Sequence, residues 1–220
     1  MSIQTELARI KGAKADLKSW VEENGVTVPD GTLIDGLVTL AKTVETGGGG
    51  SDTQIDGLID RSITEISNSR VTSIGKFAFY GCSNVVTVHF PAVTSISDNA
   101  FYSCKKLTAA DFPAVKNIGS SAFQSCISLT TADYPAVTSI GNVAFMGCSN
   151  LTTLILRNTN NVCTLSNTNA LNGTLIKSGT GYIYVPAALV DSYKTATNWA
   201  TYANQIRAIE DYPDITGGAA

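Results

Sequence analysis

The sequence predicts an α/β solenoid: short parallel strands on 22-residue coils, preceded by a separate N-terminal helical segment. Three observations carry this. Cys82, Cys104, Cys126 and Cys148 recur every 22 residues. Ala-Phe recurs in the same register at Ala78-Phe79, Ala100-Phe101, Ala122-Phe123 and Ala144-Phe145, and Pro-Ala-Val follows at Pro91, Pro113 and Pro135. Isoleucine keeps the same step at Ile74, Ile96, Ile118 and Ile140, as do Val85, Leu107, Leu129 and Leu151. A chain with such a period cannot bury its apolar face one coil at a time, so neighbouring coils stack around a shared core.

Residues 1–46 lie outside the repeat. Ile3, Leu7, Ile10, Leu17 and Val21 follow steps of four and three, a heptad seam interrupted at Lys14. Lys14 either fixes register on that seam or lays its stem along it with the ammonium in water. Gly25, Pro29 and Gly31 break this helix, and Leu33, Leu37, Leu40 or Ala41, and Val44 mark a second one. Two helices this short make a poor core alone. They are expected to act as an anchor, through self-association or docking, or else to fold back on the solenoid. Residues 47–51, Gly-Gly-Gly-Gly-Ser, form a flexible linker, which favours the anchor.

The solenoid is expected over 52–185. Its first unit is atypical: Ile63, Ile66 and Ile74 align with Val85, Val88 and Ile96, but Ala-Phe and Cys are missing, as in a terminal cap. In the regular units Leu107, Ala110 and Phe112 should point inward and Thr108 or Ala109 and Asp111 outward. The periodic cysteines should be buried thiols, because stacked equivalent side chains point the same way and make a disulfide dihedral hard to reach. Cys163 falls where the spacing shifts and is the thiol expected to label first. Tyr182 to Val185 reads as the last strand. A helical cap is expected over 186–210, beginning at Pro186 and carrying Leu189, Val190 and Tyr193, then Trp199, Tyr202, Ile206 and Ile209 at helical spacing. The tail, 211–220, is expected to be mobile.

The unit V-T-S-I-G-x-x-A-F-x-x-C-S-x-L-T-T-x-x-x-P-A resembles the BspA-type (treponemal) class of leucine-rich repeats over residues 55–209. The Y-V-P-x-x-L-V-x-x-Y-K and A-T-N-W stretches are similar to the end cap of that class. The resemblance implies a leucine-rich-repeat solenoid, with Leu107 to Pro113 as a strand lining one face, V-T-S-I as a second extended face, and A-F-x-x-C as a helical turn between them. Separately, the M-S-I-Q-T-E-x-x-R-I-K start, the V-P turn and the I-D-G-L helix resemble N-terminal segments of phage tail and fibre proteins. That resemblance implies docking to other virion proteins through residues 1–46, and a homo-oligomer, preferably a trimer.

Composition narrows the function. Acidic residues outnumber basic ones, 18 to 15, for a net charge of −3, and the one basic cluster is Lys105-Lys106, so nucleic acid is not an expected partner. No apolar run approaches the ~18 residues of a membrane span, and the N-terminus lacks the apolar stretch of a secretory signal. The five cysteines are an odd count, against a complete disulfide framework. With one histidine and no P-loop, HExxH or GxSxG motif, neither catalysis nor a metal or cofactor is expected. The nearest thing to a catalytic constellation is His89, Asp111 and Asp133, which share one position in successive strands and should stack as an acidic ladder.

Recognition is the better-motivated chemistry. Variable residues on a constant frame form outward columns: Thr87, Ala109, Thr131 and Thr153; His89, Asp111, Asp133 and Ile155; Tyr80, Tyr102, Gln124 and Met146. The candidate ligand-binding residues are Tyr80, Tyr102, Thr87, His89, Asp111, Thr131 and Asp133. Together with the two resemblances they point to a non-enzymatic phage virion component, of tail-fibre or receptor-binding type. It would assemble in the bacterial cytoplasm and contact a bacterial surface protein or glycan. The alternatives are a BspA-like adhesin at a bacterial cell surface and, from another class, an enzyme using the acidic ladder.

Overall fold

The computed structural model describes residues 64–216. The heptad seam Ile3, Leu7, Ile10, Leu17 and Val21, the linker, and most of the atypical first unit lie outside the described residues.

Each coil contributes to three walls. The front wall is built from β1 (Glu65–Ser67), β3 (Thr87–His89), β5 (Ala109–Asp111), β7 (Thr131–Asp133), β9 (Thr153–Ile155), β11 (Tyr182–Val185) and β12 (Ile206–Ala208). The back wall holds β2 (Ser73–Ile74), β4 (Ser95–Ile96), β6 (Asn117–Ile118), β8 (Ser139–Ile140) and β10 (Thr164–Leu165). All strand pairs are parallel, and those between regular coils pair residues 22 apart, such as Ile74 with Ile96 and Val88 with Ala110. Ile66 pairs with Val88, so the first unit shares this register despite lacking Ala-Phe and Cys.

The third wall carries the A-F-x-x-C segments, and it is not helical. Phe77, Asn99, Ser121 and Val143, and again Gly81, Ser103, Ser125 and Gly147, have left-handed backbone, with φ between +50° and +73°. Left-handed residues at both ends turn alternate peptide groups along the stacking axis instead of around a helix. The N–H groups of Phe77, Phe79 and Gly81 therefore donate to Asp98, Ala100 and Tyr102 of the next coil, at 2.7–3.3 Å. Only Ala78, Tyr80 and Cys82 bond back three residues. The same triplet repeats from Asn99, Phe101 and Ser103, and from Ser121, Phe123 and Ser125.

The core lies between the walls. Phe79, Phe101, Phe123 and Phe145 stack along the axis with centroids 4.8, 5.2 and 5.4 Å apart. Leu107 and Phe112 are buried, Ala110 packs against the core, and Thr108, Ala109 and Asp111 face out. All five cysteines are buried thiols. The periodic ones stitch coils together: Cys104, Cys126 and Cys148 donate Sγ hydrogen bonds of 3.0–3.1 Å to the carbonyls of Phe79, Phe101 and Phe123. At the I-G corner the coils approach so closely that a Cβ on Gly141 would lie 2.6 Å from backbone atoms of Gly119 and Ser120.

The front wall has a gap. β1, β3 and β5 form one sheet and β7, β9, β11 and β12 another, with no hydrogen-bonded pairing of β5 to β7. Elsewhere Thr108 and Ala109 donate to Val86, and Thr152 and Thr153 to Thr130; Thr130 and Thr131 make no such bond to Thr108. The facing strands, Ala-Ala-Asp and Thr-Ala-Asp, have small side chains with little cross-strand packing.

The C-terminal segment departs from the expected helical cap. Only Val190–Thr195 forms an α-helix in it; Ala200–Gln205 is a 3-10 turn, and Ile206–Ala208 is β12, paired to β11. Thus β11 is not the last strand. The three- to four-residue spacing of Trp199, Tyr202, Ile206 and Ile209 reports burial of all four, on mixed structure. This cap closes the back wall with side chains. Tyr193 Oη accepts from Cys163 N–H at 2.8 Å, Trp199 Nε1 donates to Cys163 O at 2.5 Å, and Asn198 Nδ2 donates to Leu165 O at 2.6 Å. These bonds occupy the backbone groups that would otherwise leave β10 as an open edge. Cys163 is consequently 1% exposed, not the accessible thiol its position suggested. Pro213–Thr216 forms a 3-10 turn in which Ile215 packs on Ile155, Tyr184 and Ile209, and residues 217–220 lie outside the described residues.

Candidate recognition surface

The structure distributes the candidate ligand-binding residues over two walls. Thr87, His89, Asp111, Thr131 and Asp133 lie on the front wall, and Tyr80 and Tyr102 on the turn wall.

On the front wall the acidic ladder is dismantled by pairing. His89 Nδ1 lies 2.5 Å from Asp111 Oδ2. Asp133 receives Arg157 in a fork, with Nη2 at 2.6 Å from Oδ2 and Nε at 3.1 Å from Oδ1. In place of the expected stacking of Asp111 on Asp133, Asp111 is engaged by the His89 ring and Asp133 by the Arg157 guanidinium. Arg157 escaped notice because it sits 24 residues after Asp133, two past the periodic position, where a 22-residue comparison does not look. Its Nη2 also donates to Ile215 O at 3.4 Å, so the end of the chain lies against the column that begins with His89. Ile155 of that column is covered by Ile209 and Ile215.

The turn wall presents a different surface. The rings of Tyr80 and Tyr102 stack at 4.8 Å with planes 4° apart, and Phe77 leans on Tyr80 at 5.8 Å. Tyr80 is 48% and Phe77 47% exposed. The frame beneath is fixed by the coil-to-coil triplet at 77, 79 and 81, with Phe79 buried and Phe77 and Tyr80 turned out. Sequence inspection singled out the tyrosines and missed Phe77; its exposure follows from a left-handed backbone that no periodicity reveals.

Among the described residues no three His, Cys, Asp or Glu side chains converge, and no helix is long and apolar enough to cross a membrane. A shallow groove of about 370 Å³ runs between the cap and β10, lined by Val162, Leu165, Ala196 and Trp199 among others. The thiol beside it, Cys163, is pushed up to about 12 by burial, far from a nucleophile's range.

The comparisons with known proteins agree with this architecture. A family model described as the BspA type leucine rich repeat region matches residues 60–176 in six copies. Among solved structures the chain is similar to a leucine-rich-repeat protein of T. pallidum, with 24% identity, a TM-score of 0.50, and coverage of 59% of this chain and 61% of that one. It is also similar to a leucine-rich-repeat protein from Eubacterium ventriosum, at 27% identity and a TM-score of 0.46 over 56% of this chain and 32% of that one. A leucine-rich cell surface protein from Faecalibacterium prausnitzii matches at 21% identity and a TM-score of 0.47, over 64% and 35%. The chain spans less than two thirds of the length of each. No curated protein matches it. With the family model covering more than half of the sequence and the observed coils carrying its repeat, the chain belongs to the BspA-type leucine-rich-repeat family.

Proposed function

We propose that this chain is a non-enzymatic recognition protein whose turn-wall ridge of Phe77, Tyr80 and Tyr102 contacts a component of a bacterial surface. The observation that carries this is the parallel stack of Tyr80 on Tyr102, with Tyr80 and Phe77 about half exposed, on a backbone tied together by inter-coil bonds. Rigid aromatic side chains lose little entropy on binding and dominate recognition hot spots. The front wall is the weaker candidate, since Asp111 and Asp133 are already engaged by His89 and Arg157 and Ile155 is covered by Ile215. The same engagement of Asp111 and Asp133 weighs against the enzyme alternative.

For placement we favour a virion component of tail-fibre or receptor-binding type. Its anchor would be residues 1–46, docking to other virion proteins or forming a trimer. The support is the likeness of that N-terminal segment to phage fibre proteins. The second placement is a cell-surface adhesin, which family membership favours.

The test is binding of the full chain to intact bacterial cells, read by flow cytometry, with Tyr80→Ala and Tyr102→Ala beside it. Loss of binding in both, with unchanged melting temperature, is expected. Undiminished binding overturns the ridge as the contact surface. Antibody labelling of virions against labelling of producing cells separates the two placements.

A further inference from the structure

Resting on that recognition reading, we infer that the ridge takes a linear acidic polysaccharide, laid along the solenoid axis. Four features of the ridge favour negative charge. In the Tyr80–Tyr102 stack the ring faces cover each other, so the edges are what the pair turns outward. An aromatic edge carries the positive end of the ring quadrupole. The phenol groups add hydrogen-bond donors beside those edges. Lys105 and Lys106, the one basic pair in the sequence, follow Tyr102 at the corner of the same coil, and both are exposed. Lys106 Nζ reaches back to Asn84 Oδ1 at 3.1 Å, placing its ammonium on the coil that carries Tyr80. The acidic side chain on this stretch, Asp98, does not oppose the field freely. Its Oδ2 lies 3.5 Å from Lys76 Nζ, and its Oδ1 accepts from Ser120 N–H at 2.8 Å. The chain as a whole carries −3, so this attraction is local to the ridge.

Spacing selects the polymer. The two tyrosines of the ridge stand 4.8 Å apart, one coil step. An extended peptide repeats a side chain on one side only about every 6.8 Å and slips out of phase within two coils. A pyranose unit in a linear polysaccharide is close to one coil in length, so successive sugar rings meet successive coils. An acidic group on each sugar then faces the lysine pair while ring hydroxyls face the phenols.

The experiment titrates the full chain with polygalacturonate, neutral dextran and poly-glutamate, followed by calorimetry. Polygalacturonate should bind, weakening steeply as salt rises from about 0.05 M to about 0.5 M, where the Debye length falls below the coil spacing. Lys105→Gln/Lys106→Gln should weaken it roughly tenfold, and Tyr102→Ala at least as much, while Lys116→Gln, exposed beside the back wall, should change nothing. Equal binding of dextran removes the acidic requirement, and equal binding of poly-glutamate removes the saccharide; either result overturns the inference. If the lysine pair proves silent while Tyr80→Ala still abolishes binding to cells, the acidic-ligand inference falls and the recognition reading stands. If neither class of variant affects either assay, both fall.

Discussion

On the turn wall every step between neighbouring coils from Phe77 to Ser125 is closed by three backbone hydrogen bonds; on the front wall the ladder stops between β5 and β7. The two walls belong to the same coils and share the same period, so the difference is local. The turn wall's bonds come from peptide groups set by left-handed residues at fixed positions, and they survive whatever side chains occupy the outward columns. The front wall depends more on what its strands carry, and Ala-Ala-Asp facing Thr-Ala-Asp carries too little. A solenoid can therefore vary its ridge residues freely while its strand residues are constrained. This is the arrangement that a variable recognition surface on the turn wall requires.

Four measurements break or sharpen this contrast. The largest effect is expected on the core side of the turn wall. Phe123, fully buried between Phe101 and Phe145, should cost about 3–5 kcal/mol when changed to Ala, against about 1–2 kcal/mol for Cys126→Ala on the same coil. Denaturant melts of the two variants check it, and equal losses would contradict the inward placement of the ring. Next, the amides of Thr130 and Thr131 should exchange with solvent faster than their counterparts Thr108, Ala109, Thr152 and Thr153, by a factor on the order of 10 or more. Equal protection by NMR would mean that the front wall closes in solution.

The third measurement concerns Tyr134, which replaces the phenylalanine of earlier coils. Its hydroxyl is buried with no hydrogen-bond partner, so Tyr134→Phe should gain about 1–2 kcal/mol. No gain would show that the group finds a partner. The smallest effect belongs to Val143, a β-branched residue at φ +50° that is half-buried. Val143→Asn should gain up to about 1 kcal/mol, because asparagine tolerates that backbone far better.

The repeat, the coil register and the inward set from Ile74 to Phe145 were legible because burial imposes an identical demand every 22 residues. Three kinds of feature were not. The left-handed backbone at Asn99 and Ser121 uses residue types that also suit helix caps and turns, so nothing in them spoke against the helical turn that the resemblance implied. Near Ile206, a spacing of three to four residues fits a 3-10 turn followed by a strand as well as a helix, and pairing to β11 decides between them. Partners off the period, such as Arg157 for Asp133 and Trp199 for Cys163, arise from coil-to-cap geometry that a repeat alignment does not contain. At the candidate site the tyrosine column was visible from spacing, whereas Phe77's orientation and the pairing of His89 with Asp111 needed coordinates.

The sulfur stitches have a consequence for where such a protein can work. Oxidants and disulfide-exchange partners attack the thiolate. Burial pushes the Cys104 and Cys126 thiols well above their ordinary value of 9.0, and Cys163 up to about 12. At neutral pH these buried sulfurs are protonated in the folded chain, so the coil stack is expected to keep the same stability in reducing and in aerated medium. The exposure it incurs is to alkali. A thiol whose folded pKa is raised stabilises fully below pH 9 and loses that contribution as pH climbs, because the unfolded chain sheds its proton first. Thermal melts should be flat under peroxide at neutral pH and fall steadily above pH 9, a redox indifference bought without a single disulfide.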